Sequence, residues 1–331
     1  MLEYHGKLVL APMVRVSELP MRALSIKYGC DLVWGPEIVD KKMIHMKRIW
    51  NDRLQCVDFV QKSDEKLVFR TNPALEKSRL VFQMGTADSK LAVEAAKVVA
   101  ADVGAIDVNS GCPKHFSVHG GMGAALLRTP DKLVDILTSL VEEVGKPFGI
   151  PISVKIRILE DAEKTYGLVR RLVMTGISCL TVHCRTTPMR PREPAIYTYL
   201  EGIAQICHEA GICCYVNGDV GCRDNLQLFM KNYGVDGAMI ARGAEANPSC
   251  FQTGPLAPWL DVCKEFLKMC KKYEYTNSHA KFCLTKMIPG KDPLYQQIAQ
   301  AKSLDEMEAM LDNPLIKEQI KSSKTSTAVS V

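Results

Sequence analysis

A chain of 331 residues that is 47% hydrophobic and 24% charged has the composition of an ordinary folded protein and is too apolar for a disordered one. Its formal charge of +5 and isoelectric point near 8.5 suit a nucleic-acid partner and a slightly basic metabolic enzyme equally well. No stretch approaches the roughly 18 apolar residues of a membrane span, and the apolar run after Lys7 is too short before Pro12 to be a secretory leader.

Thirteen cysteines occur with no CxxC pair and no zinc-like His/Cys spacing, so no metal site is expected. Most read as small buried residues of a protein from a reducing compartment. A cytoplasmic monomer with no membrane association is the expectation.

In chain order, eight short apolar runs read as strands: Lys7–Met13, Asp31–Trp34, Leu80–Met84, Ala105–Asn109, Ile152–Ile156, Cys179–His183, Cys213–Asn217 and Gly237–Ala241. Runs this continuously apolar belong to strands covered on both faces, hence to a parallel sheet. Helical patterns lie between them at Ala87–Ala101, Pro130–Val144 and Ala162–Thr175, the second with a stripe of Leu133, Ile136, Leu137 and Leu140. Eight strand–helix units predict an α/β fold, a (β/α)8 TIM barrel. An open doubly wound sheet is the main alternative; it is disfavoured because no GxGxxG follows the first strand.

The barrel pattern stops near Pro248, and Pro255–Pro258 reads as a linker. Five helical patterns follow, at about Trp259–Tyr273, Asn277–Met287, Leu294–Ala301, Ser303–Leu311 and Leu315–Ile320. The expected division is a barrel over 1–254, a small all-α helical domain over 255–321 and a frayed Ser/Thr-rich tail over 322–331.

Chemistry in a barrel of this kind sits at the C-terminal strand ends. Those ends deliver Pro12 and Met13, then Gln83, then Asn109 with Cys112, then Lys155 and Arg157, then His183 and Arg185, then Asn217-Gly218-Asp219, and last Ala241-Arg242-Gly243. So many polar groups on one rim point to a polar ligand, and the pieces suit FMN. The two glycine-bearing motifs after the seventh and eighth strands are placed to hold a phosphate, with Arg242 adding charge, although either motif alone is as consistent with a simple tight turn. Lys155, assisted by His183, suits the N1/C2=O edge of a flavin ring, and Gln83 its amide-like edge.

Cys112 lies between Gly111 and Pro113, shortly before Gly120-Gly121-Met122-Gly123, a stretch expected to be mobile and to close over a substrate. A thiol is mostly protonated at neutral pH, so Cys112 is a candidate general acid for C5 of a pyrimidine after hydride reaches C6. Asn109 is a candidate partner for the pyrimidine carbonyl edge. Inert packing, the usual fate of one cysteine among thirteen, is outweighed by the position of Cys112. Basic groups at Lys41–Trp50, at Arg185, Arg190 and Arg192, and at Lys268, Lys271 and Lys272 are candidate RNA contacts. For the helix lysines a solvated face is the stronger reading.

With these residues in view, the sequence resembles the tRNA-dihydrouridine synthases. The strings LAPMVRV, VFQMG, DVNSGCPK, GGMGAALL, VKIRI, VHCRT and VNGDV carry the likeness from residue 8 to about 221, and Ala241-Arg242-Gly243 extends it. The nearest subtype is the eukaryotic branch that modifies position 20 of the tRNA D-loop. The resemblance implies a TIM barrel with FMN, a helical tRNA-binding domain, and NADPH as reductant. It implies Cys112 as proton donor, Asn109 and Arg185 as substrate contacts, and Gln83, Lys155 and His183 as flavin contacts. Pro12 and Met13 would lie under the flavin ring, with Asn217, Gly218, Asp219, Ala241, Arg242 and Gly243 on the phosphate side.

Two features depart from the family pattern. Ser110 stands where methionine is usual, and Pro36-Glu37 where an acidic pair is common. Animal members of this branch often add a double-stranded-RNA-binding domain, and this sequence ends without one, so tRNA affinity is expected to rest on the barrel rim and the helical domain, or on a partner. Two other activities remain on the residues alone: a flavin barrel acting on a free pyrimidine, as dihydroorotate dehydrogenase does, and an RNA-binding barrel without chemistry.

Overall fold

The structure is a computed structural model that describes residues 2–313. All eight apolar runs form strands. They are β1 (Lys7–Leu10), β2 (Leu32–Trp34), β7 (Leu80–Gly85), β8 (Ala105–Ser110), β9 (Ile152–Arg157), β10 (Cys179–His183), β11 (Cys213–Asn217) and β12 (Gly237–Ile240). They pair in parallel in the order β2-β1-β12-β11-β10-β9-β8-β7, and a β2–β7 pairing closes the ring. The (β/α)8 barrel is thus present. A two-residue strand, β3 (Ile38–Val39), extends one end of β7.

Two apolar layers hold the barrel. Outside it, strand residues such as Leu8, Phe82, Ile106 and Val154 pack under the helices. The helix at Ser89–Val99 starts where Asp88 accepts the backbone N–H groups of Lys90 and Leu91, and the one at Ala162–Val173 where Asp161 accepts that of Lys164. Inside, a separate cluster of Tyr4, Val9, Trp34, Val81, Ala105, Cys179, Tyr215 and Met239 fills the strand-start half. Side chains alternate along a strand, so the inward series climbs from apolar to polar. It runs Val81–Gln83 on β7, Ala105–Asp107–Asn109 on β8, Ser153–Lys155–Arg157 on β9 and Cys179–Thr181–His183 on β10. The floor is apolar and the mouth is lined by polar groups.

One element was not predicted. After β3, residues Met46–Asn51 (β4), Cys56–Gln61 (β5) and Leu67–Thr71 (β6) form an antiparallel sheet outside the barrel. The basic segment Lys41–Trp50 is divided: Lys41 and Lys42 lie on a short helix (Asp40–Met43) directly after β3, and residues 46–50 run into this sheet. Met46–Asn51 is strand, and Arg48 on it donates to both carboxylate oxygens of Asp102 at 2.7 and 2.8 Å. Asp102 just precedes β8, on the side away from the mouth.

The helices at Trp259–Lys272, Asn277–Met287, Pro293–Gln300 and Leu304–Asp312 follow the expected linker. The expected helix at 315–320 and the tail 322–331 lie outside the described residues. Leu260, Cys263, Phe266 and Leu267 join the same apolar cluster as the barrel's outer face, and Lys27 ion-pairs with Glu265. Between the helices at Leu19–Lys27 and Pro73–Glu76, the fully buried Arg22 and Glu76 make two hydrogen bonds of 2.7 and 2.8 Å. Lys268 and Lys271 pair with Glu265, Asp305 and Glu308, the solvated face anticipated for them. No helix among the described residues is long and apolar enough to cross a membrane.

Candidate active site

Two adjoining cavities open at the strand C-termini. One, of about 370 Å³, is lined by Pro12, Met13, Gln83, Asn109, Cys112 and Lys155, and also by Glu37 and Phe282. The other, of about 440 Å³, is lined by Arg185, Asn217, Gly218, Asp219, Ala241, Arg242 and Gly243. His183 and Arg157 line both and join them. Every residue singled out from the sequence as catalytic, substrate-binding or cofactor-binding therefore falls on one continuous mouth.

Cys112 is half-buried and held from three sides. Asn109 Oδ1 accepts the backbone N–H of Gly111 and of Cys112, each at 3.0 Å. The Cys112 carbonyl accepts the N–H of Ala124 at 2.9 Å. Arg157 donates from Nε to Gly111 O at 2.9 Å and from Nη1 to Thr186 O at 2.8 Å, tying the Cys112 loop to the loop after β10. Gly123 sits at φ +58°, and a Cβ there would come within 2.6 Å of Cys112 O. This glycine allows a close approach under the cysteine, where the sequence suggested a mobile loop.

Burial pushes the Cys112 thiol above its ordinary range, with the Glu37 carboxylate adding to the rise. It therefore holds its proton at neutral pH, as a general acid must. Burial also raises the Glu37 carboxyl. Burial together with the Arg157 charge lowers Lys155 to about 8, so it is still mostly an ammonium at neutral pH and loses its charge just above it. Burial among Lys155, Arg157, Arg185 and Arg242 lowers His183 to about 2, leaving a neutral imidazole.

At the other end, the buried Arg185 donates from Nη2 to both carboxylate oxygens of Asp219 at 2.6 and 2.7 Å, and from Nε to Glu193 O at 2.7 Å. Arg242 reaches the same carboxylate and donates to Pro191 O at 2.9 Å. Burial acts to raise Asp219, but the Arg185 bond, the Ala195 N–H and the two arginine charges outweigh it and hold the carboxylate below its usual range. Arg185 is thus a locked member of the wall, whereas Arg242 is exposed. Arg190 and Arg192 are exposed on the loop between them.

Glu37, Arg157 and Phe282 escaped assignment from sequence. Glu37 follows a short strand, and only folding brings it beside Cys112. Phe282 comes from the helical region, with the Arg15 guanidinium 4.0 Å over its ring. Arg157 had a signal, since it repeats the inward period of Lys155. Ser110, the departure within the motif, faces away from the mouth, and its buried hydroxyl lacks a hydrogen-bond partner.

A TIM barrel whose mouth carries a protonated thiol, amide and ammonium groups and an arginine-rich end defines a class of site for a planar, phosphate-bearing ligand. The dihydrouridine synthase (Dus) family model matches residues 9–326, and the chain belongs to that family. It is 52% identical over 295 residues to the tRNA-dihydrouridine(20) synthase [NAD(P)+] of Schizosaccharomyces pombe, covering 88% of this chain and 61% of that protein. It is 46% identical over 326 residues to the enzyme of the same name from Saccharomyces cerevisiae, covering 94% of this chain and 84% of that one. A human tRNA-dihydrouridine(20a/20b) synthase [NAD(P)+]-like protein is 31% identical over 84% of this chain. The chain thus spans less than two thirds of the S. pombe relative's length.

Proposed function

We propose that this protein reduces the C5=C6 bond of a uridine in the tRNA D-loop, at position 20, using FMN and NAD(P)H. The observation that carries the reading is the single mouth in which the Cys112 thiol faces the same cavity as Gln83, Lys155 and His183, with Arg185, Asp219 and Arg242 at its far end. That donor set fits FMN: amide and ammonium groups for the ring's polar edge, and glycines with an exposed arginine for the phosphate.

FMN, when bound, supplies hydride to C6 of the pyrimidine and is recharged by NAD(P)H. The chain's own residues do the rest. Cys112 delivers the proton to C5, and its raised thiol keeps that proton available. Asn109 holds the thiol's loop in register and lines the cavity beside the pyrimidine. Lys155 offers its charge where negative charge collects, and the neutral His183 offers a hydrogen bond without competing charge. Pro12 and Met13 line the same cavity and would hold the ring of the bound flavin.

The names of the two yeast relatives favour position 20 and a tRNA substrate over a free pyrimidine. The barrel over 1–254 is the catalytic unit in this reading, and the helices over 255–321 bind tRNA. The protein acts as a cytoplasmic monomer with NADPH as the reductant. The deciding experiment incubates purified protein with FMN, NADPH and an unmodified tRNA transcript and maps dihydrouridine by mass spectrometry. Product at position 20 is expected; turnover of free uracil or dihydroorotate with no product in tRNA would overturn the reading.

A further inference from the structure

Asp107 lies on β8 beneath the mouth, is fully buried, and was not assigned a task from the sequence. Its Oδ2 accepts a hydrogen bond from Gln83 Nε2 at 2.8 Å, and its Oδ1 accepts one from Ser153 Oγ at 2.7 Å. A carboxylate sealed inside a barrel is costly and carries no stabilising benefit that a neutral amide would lack. Burial raises it to about 6, while the Gln83 and Ser153 bonds and the Lys155 charge act to keep it ionised. Above that pH it has acceptors only. Gln83 must then turn its amide nitrogen down toward Asp107. Its Oε1 has no protein partner, is not sealed from the cavity, and belongs to a residue that lines that cavity.

We propose that Asp107 is a positioning residue that fixes the Gln83 amide with its oxygen facing the mouth, so that the site selects a ring presenting an N–H there. The imide N–H of a flavin is such a group. This rests on the reading that the cavity takes FMN. Ser153 completes the arrangement by occupying the second carboxylate oxygen, which leaves Gln83 as the group Asp107 orients on the mouth side.

The test is FMN affinity, read by flavin fluorescence quenching, in wild type, Asp107→Asn, Gln83→Ala and the double variant. Asp107→Asn is isosteric. Its new amide nitrogen would donate to Gln83 Oε1 and turn the Gln83 nitrogen toward the mouth, against the ligand's N–H. FMN binding should weaken at least about tenfold, while the melting temperature of the FMN-free protein does not fall, since a buried charge is removed. In the Gln83→Ala background the same change should add less than about twofold, because coupled residues do not add. An unchanged affinity in Asp107→Asn, or the same loss in both backgrounds, overturns the proposal.

A measurement on the wild type needs no Asp107 variant. FMN methylated on its imide nitrogen should bind at least about tenfold more weakly than FMN, and Gln83→Ala should close that gap. Equal affinities in the wild type overturn the assigned amide orientation. A wild-type protein that binds FMN but fails these comparisons defeats this inference alone; one that binds no FMN defeats the functional reading as well.

Discussion

The side-chain oxygen of Asn109 accepts the backbone N–H of Cys112 at 3.0 Å, and that of Gly111 at the same distance. A residue at the end of a buried strand thereby sets the position of the thiol three residues later. Because the oxygen is committed to the loop, only the amide nitrogen of Asn109 is left to donate on the cavity side, where Glu37 also lies.

Asn109→Ala should release the Cys112 loop. Two neutral hydrogen bonds of about 1 kcal/mol each are lost, so unfolding free energy should fall by about 1–2 kcal/mol and kcat by tenfold or more. Asn109→Asp restores the acceptor but removes the donor, so it should recover most of the stability while KM for tRNA stays raised. Denaturant unfolding and steady-state kinetics separate the two; identical behaviour of both variants would show that Asn109 has only one of these roles.

Removing the thiol should uncouple the two halves of the reaction. Cys112→Ala is expected to keep FMN binding and flavin reduction by NADPH, yet lose dihydrouridine formation by about 10²–10⁴-fold. Since burial raises the thiol and lowers Lys155 to about 8, the wild-type rate should fall in two steps, one near pH 8 as the ammonium is lost and one above the ordinary thiol range near pH 8.5, and only the upper step should be missing from the residual rate of Cys112→Ala. An upper step that persists in Cys112→Ala would mean that another group supplies the proton.

Arg242 is the exposed arginine at the far end of the mouth. Arg242→Ala should weaken FMN about tenfold but leave riboflavin affinity nearly unchanged, because only the phosphate is lost as a partner. Comparing the two ligands by fluorescence titration checks this. Equal losses for both would move the phosphate elsewhere.

The exposed Arg190 and Arg192 suit phosphate contacts, whereas Arg185 is spent on Asp219 and Glu193. Arg190→Ala and Arg192→Ala should each weaken tRNA binding and lower the salt slope of log K by about 0.7–0.9. Arg185→Ala should act mainly by loosening the loop, visible as a lower melting temperature. A salt slope that changes only in Arg185→Ala would reverse these assignments.

Much of this protein was legible in its sequence. The eight strands stand out because strands covered on both faces must be continuously apolar, and β10 and β11 fall at the expected residues. The rim is legible because barrel chemistry collects at strand ends, which is why Gln83, Asn109, Lys155, His183 and Asn217 could be placed together. The sequence motif also marks Cys112. Tertiary structure alone decided the partnerships. Strand register puts Asp107 beside both Gln83 and Ser153, and loop packing ties Arg185 and Arg242 to one carboxylate. Glu37 and Phe282 reach the Cys112 cavity from elements distant in the chain, and β4–β6 fold as an antiparallel flank whose strands carry the charged residues Lys47, Arg48, Asp58 and Arg70 among their apolar ones. Local periodicity reports which face of an element is buried; which side chain accepts which proton depends on long-range register, and that exists only once the barrel has closed.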